Sequence, residues 1–148
     1  MSRSIHPLLA GRWSPSRFDP AHEIAPDEIE VLLQAARWAP SAGNSQFVED
    51  TDWEFSEFSV YDLGQAVAHM SIQAQALGLH VRQFRAFDRD GIAKEFAIPE
   101  HWEVTTLAAI GHAAPGSGRT AQDPALDDTG EPPIRSRRAL DEILWPVP

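Results

Sequence analysis

The chain has 148 residues, with 22 Asp or Glu against 12 Lys or Arg, so its formal net charge is -10. This balance argues against a general nucleic-acid binder, which would show a basic face. No apolar run approaches the ~20 residues of a membrane span. The lack of cysteine excludes disulfides, thiolate nucleophiles and cysteine metal sites. We therefore expect one soluble, cytoplasmic domain over residues 1–148, with neither nucleic acid nor membrane as partner.

The first candidate site is residues 11–20, called here the N-terminal arm, which follows a short helix start containing Leu8 and Leu9. Guanidinium groups and hydroxyls are what a phosphate requires. The arm supplies four such side chains within six residues: Arg12, Ser14, Ser16 and Arg17. The alternative interpretation is a surface arm that Trp13 and Phe18 pin to the domain.

Residues 26–38 are predicted to form an amphipathic helix. Pro26 suits its first turn, and Asp27 complements the positive end of the helix dipole. Apolar side chains recur at intervals of three and four, which predicts one buried face. That face consists of Ile29, Leu32, Leu33 and Ala36.

The loop after this helix is the second candidate site, because small and polar residues on a rigid helix are a common place for ligand contacts. Pro40 ends the helix. The polar residues of the loop include Ser41, Asn44 and Gln46. The same composition also suits an ordinary turn.

Further along, the pattern predicts a long core helix over residues 61–77, ended by Gly78. A strand over 79–84, a short helix over 89–96 capped by Asp88, and a buried strand over 105–110 ended by Gly111 follow. Residues 47–60 are predicted either as a short strand or as an acidic aromatic loop. Residues 113–133 indicate a flexible linker, and residues 134–148, with Arg137 and Arg138, a docking arm.

Six short motifs then stand in a specific order. They are Arg-x-Ser-x-x-x-Phe from Arg12, Ala-Pro-Ser-x-x-Asn-x-Gln from Ala39, Asp-x-Gly-x-Ala from Asp62, Phe-Asp from Phe87, Ile-Pro-Glu from Ile98 and Arg-x-Leu-x-Glu from Arg138. In this combination the chain resembles the nitroreductase family of FMN-dependent oxidoreductases. The resemblance implies an α+β fold, with central helices packed on a small sheet and two chains intertwined as a homodimer.

The resemblance also implies roles for the candidate residues around an FMN at the subunit interface. Arg12 and Ser14, with Ser16 and Arg17 beside them, correspond to the phosphate-binding arm, joined by Arg137 or Arg138 from the tail. The ring and ribityl chain correspond to Pro40, Ser41, Asn44 and Gln46. Backbone at Arg85 and Ala86 corresponds to the flavin-facing edge, and Gly111 at the end of the second strand also counts among the cofactor-binding residues. Hydride then passes from NAD(P)H through flavin to a nitroaromatic, quinone or similar acceptor, with no separate catalytic residue and no metal.

The chain departs from the family pattern at several places. The family carries two core strands between the loop and the Asp-x-Gly helix, whereas Tyr61 lies only 14 positions after Phe47 here. Ser16 stands where the family has a second arginine, and Ala86 where it has glycine. These departures leave two alternatives open: a non-catalytic dimeric binding protein on a reduced fold, with or without flavin, or a binder of another small anion.

Overall fold

The computed structural model describes residues 4–44, 58–115, 117 and 137–144. Within these ranges the elements are α1 Pro7–Gly11, α2 Pro26–Arg37, a short 3-10 turn Ala42–Asn44, α3 Ser59–Ala76, β1 His80–Phe84, α4 Arg89–Glu95, β2 Leu107–Gly111 and α5 Leu140–Ile143. The order agrees with the prediction, and most boundaries differ from it by one or two residues. This mixed architecture confirms the predicted α+β class.

Helix α2 packs against α3 through a narrower apolar stripe than its sequence suggests. Leu32 is only 3% exposed and belongs to the central core. Ile29 and Leu33, which were predicted to share its buried face, are 47% and 61% exposed. That part of the prediction is wrong for the single chain. Leu33 points about 100° away from Leu32 on the helix, whereas Ile29 lies near the Leu32 face and is still left largely exposed.

The long helix α3 is the centre of the domain, as predicted. Ala66, Val67 and Ala74 of its apolar stripe are buried. Gly78 takes a φ of 76° just after the helix, and the Leu79 N–H donates to the Ala74 carbonyl at 2.8 Å. This left-handed turn is the common glycine ending of a helix, and it directs the chain into β1.

Strands β1 and β2 pair antiparallel, with Val81 opposite Ile110 and His80 opposite Gly111. Val81 is buried against the core, but β2 is mostly half-buried. The prediction of a buried second strand over residues 105–110 is therefore wrong on both extent and burial. A small antiparallel sheet that packs one face on a helix leaves its other face partly open.

The N-terminal arm continues the hydrogen bonding beyond the two strands. Phe18 forms an isolated bridge with Ala113. The Asp19 N–H donates to the His112 carbonyl at 2.9 Å, and the Ala114 N–H to the Arg17 carbonyl at 3.1 Å. Two strands alone are marginal, so this pairing supports the sheet. It also shows that the segment predicted to be flexible begins in ordered contact; Gly116 and residues 118–136 lie outside the described residues.

Residues 45–57 also lie outside the described residues. The prediction of either a strand or a loop over 47–60 is therefore not tested for most of that segment. Ser59 and Val60 already belong to α3. In the part of the chain that the structure describes, no helix has both the length and the apolar character to cross a membrane. The tail residues 137–144, including α5, are all exposed.

Candidate cofactor site

The N-terminal arm is held firmly on the sheet. Pro15 is among the most deeply buried residues, and Arg82 of β1 donates from Nη1 to its carbonyl at 3.4 Å. The Trp13 ring meets the His80 ring edge-on, with centroids 5.0 Å apart. The interpretation that an aromatic residue pins the arm to the domain is therefore correct. It does not conflict with a candidate site, because the same packing positions the neighbouring polar side chains.

Arg12 and Ser14 lie together on this arm. The Arg12 guanidinium donates from Nη1 to Ser14 Oγ at 3.4 Å, and both residues are half-buried. Ser16 and Arg17 are exposed. A guanidinium beside a hydroxyl offers several donors to one oxyanion, so the structure brings together the two residues first expected to bind phosphate.

The loop after α2 is anchored by a buried carboxylate. Asp62 is 2% exposed, and its Oδ2 accepts a hydrogen bond from the Ala42 N–H at 2.8 Å. Gln65 donates to its Oδ1 at 3.4 Å. A carboxylate that accepts backbone N–H groups makes a strong, charge-assisted hydrogen bond. The sequence placed Asp62 at a helix start and in a family motif, but gave no sign that it ties this loop to α3.

Beyond this anchor the loop turns sharply. Gly43 and Asn44 take φ angles of 60° and 59°. Ser41 is half-buried, whereas Pro40 and Asn44 are exposed. Two successive left-handed residues are unusual, and asparagine tolerates the conformation better than most side chains. Ser41 and Asn44 are thus presented from a fixed turn, while Gln46 lies outside the described residues.

A groove of about 400 Å³ separates the first half of α3 from the end of β1. Its lining is largely apolar with a few polar groups, a composition typical of small-molecule sites. The lining residues are Val60, Leu63, Gly64, Val67, Gln83, Phe84, Arg85, Thr105 and Thr106. Of the sequence-predicted site residues that the structure describes, Arg85 alone is among those that line this groove. The α3 and threonine residues were not predicted as site residues.

Arg85 and Ala86 follow β1 directly and are exposed. Arg85 Nη2 lies 3.9 Å from Glu103 Oε1, and the same oxygen accepts from Arg89 Nη1 at 2.6 Å. Ala86 does not adopt a left-handed conformation. The side chain that replaces glycine therefore causes no backbone strain in the chain itself.

Three histidines surround the start of the sheet, and the sequence reasoning assigned none of them to a site. The pKa of His80 is lowered, first by burial and then by repulsion from His112. The ring centroids of His22 and His112 lie 3.8 Å apart. Within the described residues, His80 Nδ1 and Gln75 Oε1 are buried without a hydrogen-bond partner. An unsatisfied buried polar atom is costly, so this region beneath the arm is sensitive to change.

The two candidate regions lie at opposite ends of β1. Trp13 of the arm contacts His80, the first residue of the strand, while Phe84, its last, lines the groove. Four residues of extended chain span about 13 Å.

Gly111 is buried opposite His80, and a Cβ placed on it would meet the Phe18 ring at 3.2 Å. Arg137 lies on the exposed tail, and so does Arg138.

Comparison with known proteins shows similarity at the level of family and fold. The family model described as the nitroreductase family matches residues 9–56. A solved structure described as an oxidoreductase containing FMN superposes with a TM-score of 0.75 at 25% identity, covering 98% of this chain and 92% of its own. No curated protein matches the chain.

Other solved structures share the fold at lower identity. A nitroreductase family protein from Clostridium difficile 630 has a TM-score of 0.70 at 19% identity, covering 93% of this chain and 95% of its own. An FMN-dependent nitroreductase from Clostridium difficile R20291 has a TM-score of 0.61 at 17% identity, covering 82% and 91%. The fold is the nitroreductase fold, and the resemblance to the nitroreductase family is confirmed.

Proposed function

We propose that this protein is an FMN-dependent oxidoreductase that takes hydride from NAD(P)H and delivers it to a nitroaromatic, quinone or similar small acceptor. The observation that carries the proposal is the pairing of Arg12 with Ser14 at one end of β1 and an apolar groove at the other. A charged phosphate and a flat apolar ring at two ends of one molecule require these two environments. The FMN in the similar oxidoreductase supports the same conclusion.

The chemistry of the arm fits a phosphate. The Arg12–Ser14 hydrogen bond is long, at 3.4 Å, and a bond of that length is weak. Both groups can exchange it for a phosphate oxygen, with the guanidinium supplying a charge-assisted bond. Arg137 or Arg138 of the tail is proposed to complete this cluster, and the exposed Ser16 and Arg17 to lie at its rim.

The groove fits an apolar ring. Leu63 and Val67 supply aliphatic surface. Apart from Gly64's own helix backbone and chain neighbours, no heavy atom of the described residues lies within 4 Å of a Cβ built on Gly64. The backbone of Arg85 and Ala86 stands at its end. We propose that this backbone faces the flavin ring, and that Pro40, Ser41, Asn44 and Gln46 contact the ring and ribityl chain.

The protein's part in the reaction is to hold and orient. FMN, when bound, supplies the redox chemistry by accepting hydride from a nicotinamide and passing it to the acceptor. The arm fixes the phosphate, Asp62 fixes the loop through Ala42, and the aliphatic lining excludes water from one side. No further catalytic side chain is required by this proposal.

We further propose a homodimer with the site at its interface. Large apolar side chains on α5 and directly after it are exposed in the single chain: Leu140 at 71%, Ile143 at 60% and Leu144 at 64%. A four-residue helix has little stability of its own, and contiguous exposed apolar groups commonly mark protein interfaces. The tail is therefore proposed to dock on the partner subunit.

The proposal is tested by anaerobic mixing of FMN-reconstituted protein with NADH and, separately, NADPH. We expect the flavin absorption near the visible maximum to bleach with at least one donor and to return when a quinone or nitroaromatic is added. Retained flavin that neither donor bleaches indicates a flavin-binding protein without turnover. Absence of retained flavin indicates a binding protein on the same fold, and either result contradicts the proposal.

A further inference from the structure

We propose that His80 and Arg82 of β1 are positioning residues for the phosphate site of the N-terminal arm. They seat the arm on the strand so that Arg12 and Ser14 turn toward the same phosphate. This inference rests on the proposed function, which assigns the FMN phosphate to the arm. It goes beyond that function because it gives a role in cofactor binding to two residues outside the arm, neither of which is proposed to touch the cofactor.

His80 and Arg82 lie on the same face of β1. Successive side chains of a strand point to opposite sides, and Val81 between them belongs to the buried core cluster. Both outward residues are half-buried, and both contact the arm. One side of the strand therefore packs on the core, and the other side carries the arm.

The two contacts reach alternate residues of the arm. The Trp13 ring meets the His80 ring edge-on with centroids 5.0 Å apart, and the Pro15 carbonyl accepts a hydrogen bond from Arg82 Nη1 at 3.4 Å. Ser14 lies between these two anchored residues. A hydrogen bond of 3.4 Å is long and weak by itself, so we expect the two contacts to hold the arm together.

The side chains of Arg12 and Ser14 share the other side of the arm. Arg12 has an extended backbone, with φ of -65° and ψ of 129°, and residues two apart in an extended chain lie on one side. The Arg12 guanidinium meets Ser14 Oγ in agreement with this alternation. Anchoring Trp13 and Pro15 on β1 thus leaves both donors facing away from the strand, where one phosphate can accept from each.

The second half of the arm is held by different contacts. Phe18 forms its bridge with Ala113, and the Ala114 N–H donates to the Arg17 carbonyl. These contacts follow the phosphate-binding residues in the chain. Loss of the β1 contacts should therefore loosen residues 12–15 while the rest of the arm stays on the sheet.

The test compares the dissociation constants of FMN and of riboflavin, which lacks the phosphate, by titration of flavin fluorescence. We expect Arg82→Gln and His80→Gln to weaken FMN binding by about three- to fivefold, the size of one ordinary hydrogen bond, and to leave riboflavin binding unchanged. Lys94→Gln removes a positive charge from the exposed surface of α4 and should change neither constant. An unchanged FMN constant, or an equal loss for both flavins, would overturn the inference.

A double-mutant cycle separates positioning from direct contact with the phosphate. In the Arg12→Gln background, Arg82→Gln should weaken FMN binding little further, because a positioning residue acts through the group that it places. A loss that adds in full to that of Arg12→Gln would mean that Arg82 binds the phosphate itself, and this result would contradict the positioning role.

His80→Phe tests the ring contact without a change of charge at neutral pH. Among the described residues, His80 Nδ1 has no hydrogen-bond partner, so a phenyl ring against Trp13 should keep FMN affinity close to wild type. A loss in His80→Phe as large as that in His80→Gln would contradict the role of the ring.

Failure of the proposed function is distinguishable from failure of this inference. If the protein retains flavin that neither nicotinamide bleaches, the comparison of FMN with riboflavin is made in the same way. If it binds no flavin, inorganic phosphate is titrated while the backbone amide signals of the arm are followed by NMR. Phosphate binding that Arg12→Gln and Arg82→Gln both weaken supports the positioning role, whereas lack of phosphate binding overturns it.

Discussion

At the residue scale, the candidate site depends on a few polar groups that packing puts in place. Arg12 and Ser14 have the donor groups from which the sequence predicted a phosphate site, and their side chains meet in the structure. What local sequence did not predict is the contact that positions them, since Trp13 meets His80 across 67 residues of chain. The hydrogen-bond donors of a side chain are known from the residue type. A contact between two aromatic residues far apart in sequence becomes known only from the three-dimensional structure.

His80 makes stability under the arm depend on pH. Its pKa in the folded chain is lowered from 6.5 by burial and by His112, so the unfolded chain binds the proton more readily. The contribution of neutral His80 to the free energy of unfolding is therefore fully present above pH 6.5. It is lost as the pH falls through the lower pKa of the folded state. We expect the melting temperature to fall from pH 7.5 to pH 5, and to fall less in His80→Gln.

The measurement is a pair of thermal melts of wild type and His80→Gln at matched ionic strength. His69, which is exposed on α3, provides the control, and His69→Gln should keep the wild-type pH dependence. Identical pH slopes for wild type and His80→Gln would show that His80 is not the titrating group.

At the element scale, hydrophobic periodicity predicted the helices and strands but not the contacts between them. The apolar repeats of α2 and α3 and the alternation in β1 predicted those elements with correct order. The bridge between Phe18 and Ala113 was not predicted, because pairing between distant segments leaves no local pattern. Neither was the exposure of Leu33, since an apolar residue on a helix does not show whether the same chain or a partner covers it.

Asp62 links two elements, and its removal tests that link. Asp62→Ala deletes the acceptor for the Ala42 N–H and leaves a donor without its partner. We expect the free energy of unfolding to fall by about 1–3 kcal/mol, measured by urea denaturation. FMN affinity should also fall, because the loop that presents Ser41 and Asn44 loses its anchor.

Gln65→Ala serves as the control, because it removes only the longer 3.4 Å contact to the same carboxylate. We expect a clearly smaller loss of stability in that variant. Equal effects of the two substitutions would contradict the anchoring role of Asp62.

At the scale of the whole molecule, the single chain leaves much apolar surface uncovered. Its central cluster consists of Leu32, Ala74, Leu79 and Val81, with a few half-buried neighbours. Trp38, at 79% exposed, and Tyr61, at 66% exposed, lie outside it. Large apolar side chains left exposed on the described part of the chain are consistent with the proposed homodimer.

We expect light scattering after size-exclusion chromatography to give twice the chain mass of 16.4 kDa. The dimer of the double variant Leu140→Asp/Ile143→Asp should be weaker than that of wild type, with a larger dissociation constant. The reason is that the variant places charges on the exposed apolar side of α5. Glu142→Gln, on the same helix, should behave as wild type. A monomeric wild-type protein, or dimers insensitive to the α5 changes, would contradict the proposed docking.

The most direct test of the account is the visible absorption spectrum of the protein after FMN is added and the excess removed, for wild type and Arg12→Gln. We predict a retained flavin band in wild type and an affinity at least about tenfold weaker in Arg12→Gln, the loss expected for one hydrogen bond to a charged group. Absence of a flavin band in wild type, or an unchanged affinity in Arg12→Gln, would contradict the assignment of this arm to the FMN phosphate.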